Sequence, residues 1–165
     1  MKQAVIKKGV VVSKDVPAPQ AGRNDVLIKV EYSCISSGTE STSVSASGKS
    51  LIQRVLDKPE HIQRVLSMIK NEGLSSTISA VKNKATKEVA TGYSVAGEII
   101  EVGSNVSTLK DGDKVAAAGA GLANHAEYVN VPINLVIKLP DNVSTQQGAT
   151  VTLGGIAMQG VRRAD

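Results

Sequence analysis

Between Val26 and Tyr32 the chain alternates with a period of two. Val26, Ile28 and Val30 fall on one face, and Leu27, Lys29 and Glu31 on the other. That period predicts a strand with one buried face. Ala4 to Val12 reads as an earlier strand, parted from it by the turn-forming run Pro17-Ala18-Pro19-Gln20-Ala21-Gly22-Arg23-Asn24-Asp25. Ser33 to Glu40 is a small polar loop, and Ser41 to Ser50, rich in Ser and Gly, reads as loop. The pattern then becomes helical. Leu51, Ile52, Val55 and Leu56 form one apolar stripe, and Ile62, Val65, Leu66 and Ile69 another. Pro59 separates the two, Asp57 is a plausible N-cap, and Asn71-Glu72-Gly73 a helix stop. Ile-Gln-Arg-Val-Leu occurs at 52–56 and again at 62–66, a chance echo of two amphipathic turns rather than a solenoid. A short helix is expected over 75–84.

From Gly92 the pattern is β again. Val95, Ile99, Ile100, Val102 and Val106 are β-branched and suit a pleated, half-buried surface. Gly97 inside that run predicts a bulge or a close backbone approach. Gly103-Ser104-Asn105 and Asp111-Gly112-Asp113 are turns, with a new strand from Lys114. Tyr128 to Val131 is a strand, Pro132-Ile133-Asn134 a turn, and Leu135 to Leu139 a short strand ending at Pro140-Asp141. Ser144 reads as an N-cap, and Thr145 to Arg163 as helix broken at Gly154-Gly155 and Gly160.

The 165 residues fit one domain, 41% of them hydrophobic. With three Tyr and no Phe or Trp, the core must be Val, Ile, Leu and Ala, and stacking platforms for single-stranded nucleic acid are missing. A net charge of +4 spread along the chain reads as solvated surface, so no nucleic-acid partner is expected. Met1 leads straight into a strand pattern without a signal-peptide h-region, and no apolar run matches a membrane span. One cysteine, Cys34, excludes an intrachain disulfide and a four-Cys zinc lobe. A cytoplasmic protein without membrane contact is the expectation.

The ordered set Gly92-Tyr93-Ser94, Gly97, Val102-Gly103 and Gly112-Asp113-Lys114-Val115 resembles the central signature of the medium-chain dehydrogenase/reductase superfamily. The family text there is Gly-His-Glu, a glycine, Val-Gly and Gly-Asp-x-Val. The Ile35 loop, Ala126-Glu127-Tyr128 and Pro140-Asp141 follow in family order. Tyr32 to Glu40, Gly92-Tyr93-Ser94 and Ala123-Asn124-His125-Ala126-Glu127-Tyr128 are most similar to the bi-domain oxidoreductases, whose second half is Gfo/Idh/MocA-like. The resemblance implies a mainly β (α+β) fold: a GroES-like, partly open β-barrel over residues 1–165, with a helical insert at about 50–86. It makes this the substrate-side catalytic domain. A nucleotide-binding domain is expected after residue 165, and with it NAD or NADP. The substrate would be a small alcohol or carbonyl, of sugar or sugar-nucleotide type. Homo-oligomerisation is left open. Gly119-Ala120-Gly121 is half a dinucleotide fingerprint, but Asn124 stands where the third glycine belongs.

Three positions where the family holds catalytic zinc lack its ligands. Ser36 replaces a Cys and Tyr93 a His, and Thr152 to Gly155 offers no Cys, Asp or Glu. A rescue site from Cys34, His125 and Glu127 is the less favoured reading, so no zinc is predicted; Cys34 reads as a small buried hydrophobe. Hydroxyl and imidazole groups would then handle the proton. The catalytic candidates are Tyr93, Ser36 and His125, and the substrate-binding candidates Thr39, Glu40 and Ser94. Each has a plain alternative: Tyr93 as a space-filling core residue, His125 as a strand histidine at the rim, Thr39 as a turn cap, Glu40 as a surface carboxylate. His61 reads as solvated. The rival to an enzyme part, inactive by itself, is a non-catalytic binding or assembly module that kept the barrel. A GroES-like co-chaperone is weaker, because Ser41–Ser50 is not an apolar mobile loop.

Overall fold

The computed structural model describes residues 1–48, 70, 73 and 88–164. The helical stripes at 51–56 and 62–69 and the helix at 75–84 lie outside the described residues. Contacts divide the chain into two units. One comprises Met1–Ala4, Ser13–Ser36 and Ala90–Asp165, the other Val5–Val12 and Ser37–Val89.

The first strand expectation is corrected. Ala4 to Val12 is not one strand but parts of two, β1 (Lys2–Lys7) and β2 (Val10–Asp15). Lys8 and Gly9 between them both take positive φ, at 50° and 80°. That pair of left-handed conformations makes a tight hairpin turn whose twist matches the flanking strands. β4 (Val89–Ala90) pairs on the other side of β1.

Five strands form the larger sheet, in the order β7-β3-β5-β6-β8. They are β3 (Asp25–Ser33), β5 (Ser94–Val102), β6 (Lys114–Ala118), β7 (Tyr128–Pro132) and β8 (Val136–Lys138). All four pairings are antiparallel. A 3-10 turn at Ile133–Leu135 links β7 to β8. The expected mainly β, α+β class is thus what the chain adopts.

One face of this sheet buries Val26, Ile28, Val95, Ile99, Val115, Val129 and Val131. The aliphatic core predicted from the scarcity of aromatics is present. Each such side chain contributes roughly 1.5–3 kcal/mol on burial. A second cluster, Ala96, Ala116, Leu139 and Ala149, packs on the other face. Gly97 meets its expectation. It pairs with Val30 next to a register shift, and a Cβ there would overlap the Lys29 carbonyl oxygen.

The helices correct two further expectations. Residues 41–48, read as loop, lie within helix α1 (Ser37–Gly48). Thr42 Oγ1 donates to the Gly38 carbonyl, Ser43 Oγ to Thr39 and Ser47 Oγ to Val44, so hydroxyls expected to favour a loop hydrogen-bond back along the helix. Near the C-terminus, Ser144 caps α2 (Thr145–Gly148) with a complete capping box to Gln147. The break then falls at Ala149-Thr150, and α3 (Val151–Ala164) runs through Gly154, Gly155 and Gly160 unbroken. Among the described residues no helix is long and apolar enough to cross a membrane.

Candidate functional site

Two segments flank the start of β5. The chain leaves β3 at Ser33 and passes Cys34 on its way to Ser36. The Cys34 N–H donates to the Ser94 carbonyl at 3.0 Å, so this exit runs beside the entry to β5. Tyr93 is the residue just before that entry, and its carbonyl accepts the Gly119 N–H at 2.9 Å. Ser36 and Tyr93 are both half-buried. The segments that carry these two hydroxyls are therefore neighbours through backbone bonding.

Ser94 has a different place. It is fully buried, and its hydroxyl donates to the Ala149 carbonyl at 2.7 Å. That bond ties β5 to the end of α2 and commits the Ser94 side chain to the scaffold rather than to a ligand. Thr39 and Glu40 stand in the first turn of α1, Thr39 exposed and Glu40 half-buried, and they belong to the other unit.

His125 is half-buried in the stretch before β7. Its N–H donates to the Thr91 carbonyl at 2.7 Å, and its own carbonyl accepts the Ala4 N–H at 2.8 Å. It lines a hollow of about 350 Å³ with Lys2, Ser13, Glu31, Ser33 and Glu127, and neither Ser36 nor Tyr93 is among the lining residues. Glu127 accepts the Lys2 N–H, and Glu31 accepts the Thr145 hydroxyl. Sequence reasoning did not weigh Glu31 or Ser33 as site residues. Their signal was slight, a carboxylate and a hydroxyl two apart at the end of a strand.

The ionisable group that stands out is elsewhere. Asp113, at the turn before β6, is buried. The Lys138 ammonium lies 2.6 Å from it and the Lys110 N–H 3.0 Å. The hydrogen bond from Lys138, then that from Lys110, hold its carboxyl below the ordinary value of 3.8, against the opposing effect of burial.

Zinc does not fit the positions where the resemblance would put it. Ser36 and Tyr93 offer neutral hydroxyls, whereas zinc takes thiolate, imidazole or carboxylate. Thr152 adds another hydroxyl, its Oγ1 buried with no hydrogen-bond partner. Among the described residues no three of His, Cys, Asp and Glu gather as a metal ion would require. Nor does Gly119-Ala120-Gly121 fit a pyrophosphate. Gly119 and Gly121 take φ of 138° and 81°, the Leu122 and Ala123 amides bond back to the Gly119 carbonyl, and β7 rather than a helix follows.

This antiparallel sheet followed by a capped helix and a second C-terminal helix is the architecture of a GroES-like domain. Residues 66–141 match the alcohol dehydrogenase GroES-like domain. The (R,R)-butanediol dehydrogenase of Bacillus subtilis is 33% identical over 101 residues, which are 47% of this chain and 29% of that protein. The quinone oxidoreductase structure from Coxiella burnetii superposes with a TM-score of 0.69 at 24% identity, over 99% of this chain and 45% of that one. A mycobacterial structure complexed with NADPH superposes with a TM-score of 0.63 at 20% identity, over 98% and 40%. The match over residues 66–141 and these relatives support a GroES-like domain of the medium-chain dehydrogenase/reductase superfamily. The chain spans less than half the length of each of these relatives.

Proposed function

We propose that this chain is the substrate-side domain of a zinc-independent, NAD(P)-dependent oxidoreductase that interconverts an alcohol and a carbonyl. The observation that carries the reading is the bond from the Cys34 amide to the Ser94 carbonyl. It sets the Ser36 and Tyr93 segments side by side at positions whose donors are hydroxyls. Two O–H groups aimed at one oxygen hydrogen-bond a substrate carbonyl and stabilise the charge that grows on it. Tyr93 then gives its proton to that oxygen as the alcohol forms, with His125 as the general acid/base candidate that restores it. The nicotinamide, when bound, supplies or accepts the hydride. This chain's residues hold the carbonyl and move the proton.

The relatives named above support an oxidoreductase, and the NADPH complex supports a nicotinamide dinucleotide as its cofactor. We take the substrate to be a sugar or sugar-nucleotide alcohol, following the similarity of Tyr32 to Glu40 to the bi-domain oxidoreductases. A nucleotide-binding domain beyond residue 165 completes the proposal, since the described glycine turn offers no phosphate cradle. The 165 residues by themselves are then inactive and cytoplasmic, and homo-oligomerisation is compatible with the scheme.

Two measurements test it. Elemental analysis of the purified chain should find no stoichiometric zinc, and one zinc per chain would defeat the hydroxyl reading. Calorimetry with NADPH should show no micromolar binding to the 165 residues. Binding that tight would place the cofactor site here and remove the need for a second domain. The assembly-module reading has one observation in its favour, the commitment of the Ser94 hydroxyl to Ala149. It predicts that Ser36→Ala and Tyr93→Phe leave the turnover of a longer chain unchanged.

A further inference from the structure

We propose that Glu31 and Thr145 are a positioning pair that holds a one-residue bulge in β3 and so sets the register in which the chain toward Ser36 passes Tyr93. The β3–β5 ladder is irregular at two places. Leu27 pairs with Glu101 but Ile28 with Ile99, so Ile100 is an extra residue on β5. Val30 pairs with Gly97 but Tyr32 with Ala96, so Glu31 is an extra residue on β3. The second bulge undoes the first, and Ser33–Val95 stands in the same register as Val26–Val102. The bond from the Cys34 N–H to the Ser94 carbonyl extends that register past the end of β3.

The bulge also exchanges faces. Ile28 and Val30 share the core face with Ile99 and Gly97. An unbroken period of two would add Tyr32 to that face. Tyr32 instead stands opposite Ala96, on the face where Leu139 and Ala149 pack, and Ser33 takes the core face opposite Val95. The end of β3 owes its orientation to the bulge.

The extra residue has no partner across the ladder, and its side chain finds one on another element. The Glu31 carboxylate accepts the hydroxyl of Thr145, the first residue of α2. A charged acceptor makes this bond stronger than a neutral pair would be. Thr145 is 6% exposed, so little water competes for its hydroxyl. At the far end of α2 the Ala149 carbonyl takes the Ser94 hydroxyl, and Gly148 lies so close to Leu139 that a Cβ would come within 2.7 Å of it. α2 therefore braces the β3 bulge against the entry to β5, through one hydroxyl bond to each strand. The hold on the bulge stands without any activity, whereas its service to turnover rests on the function proposed above.

Residue-resolved amide hydrogen exchange of the 165-residue chain tests the hold. Thr145→Val removes the donor. Glu31→Ala removes the acceptor at an exposed position, where the fold is spared. Each should speed exchange of the Cys34 amide about tenfold or more. The Gly103 amide, bonded to the Asp25 carbonyl at the other end of β3, should keep its rate. Thr145→Ser should keep the slow Cys34 rate, and the double variant should exchange no faster than the faster single one. Equal acceleration at Cys34 and Gly103, or none at Cys34 in the folded variants, would overturn the hold. In a longer, active chain Thr145→Val should lower kcat with the KM for NADPH unchanged, and Thr145→Ser should restore it. If Thr145→Val leaves kcat unchanged while Tyr93→Phe lowers it, the positioning role falls. If neither changes kcat, the function proposed above is refuted together with that role, and the exchange rates alone decide the hold.

Discussion

Ser94 illustrates how one hydroxyl can belong to the scaffold. Its bond to the Ala149 carbonyl is buried, so Ser94→Ala strips a buried carbonyl of its donor. The expected cost is about 1–3 kcal/mol, read as a lower midpoint in urea unfolding with an unchanged slope. Tyr93→Phe removes a half-buried hydroxyl and should leave that midpoint within about 0.5 kcal/mol. The contrast separates a structural hydroxyl from one proposed to serve a substrate. Sequence alone offered Ser94 as a substrate-binding candidate beside the catalytic candidate Tyr93. Strand alternation sends neighbouring side chains to opposite faces, and the partner that claims Ser94 lies 55 positions away.

At the scale of elements, the turn before β6 and the end of β8 are joined by Asp113 and Lys138. The Asp113 carboxyl titrates below its unfolded value of 3.8, so its contribution to stability is present above that pH. It is lost as the pH falls through the lowered folded value. Hydrogen exchange followed from pH 5 to 2.5 should show the β6–β8 amides losing protection ahead of the β3–β5 amides. Lys138→Met should move that loss to higher pH. Further along the chain from β8, the Ser144 capping box holds α2, and Ser144→Ala should cost about 1 kcal/mol in thermal unfolding. That cap was legible in the sequence, as were β3, β5, β6 and β7, whose β-branched residues and bounding turns agree with their tertiary places. The rest was hidden for identifiable reasons. The Lys8-Gly9 turn lacks an Asn or Asp to announce it. Thr42, Ser43 and Ser47 of α1 bond back along the helix instead of breaking it. Gly154, Gly155 and Gly160 weaken α3 without ending it, at about 1 kcal/mol each relative to Ala.

For the whole molecule, the aliphatic core and the exposed end of the chain are the two facts that matter. The core is Val and Ile packed between strands, and Ile99→Ala should cost about 2–5 kcal/mol where Ile99→Val costs about 0.5–1.5. On α3, by contrast, Val151, Leu153, Ile156, Met158 and Val161 all face water. The 165 residues by themselves should bind a dye such as ANS at neutral pH while keeping a cooperative melt, and Ile156→Lys with Val161→Glu should abolish the dye signal without lowering the melting temperature. The site was less legible than the barrel. The motif order located the segments at 36 and 93, but which side chains those segments bring toward one another depends on long-range bonds that no local pattern encodes. Gly97 carries a last consequence. Because its missing side chain makes room for the Lys29 carbonyl, the two central strands are locked in register by an atom that is not there. Mutational drift through this barrel meets a closed door at that residue: every other amino acid requires the kink in the facing strand to move first, and two changes that must arrive together are rarely found one at a time.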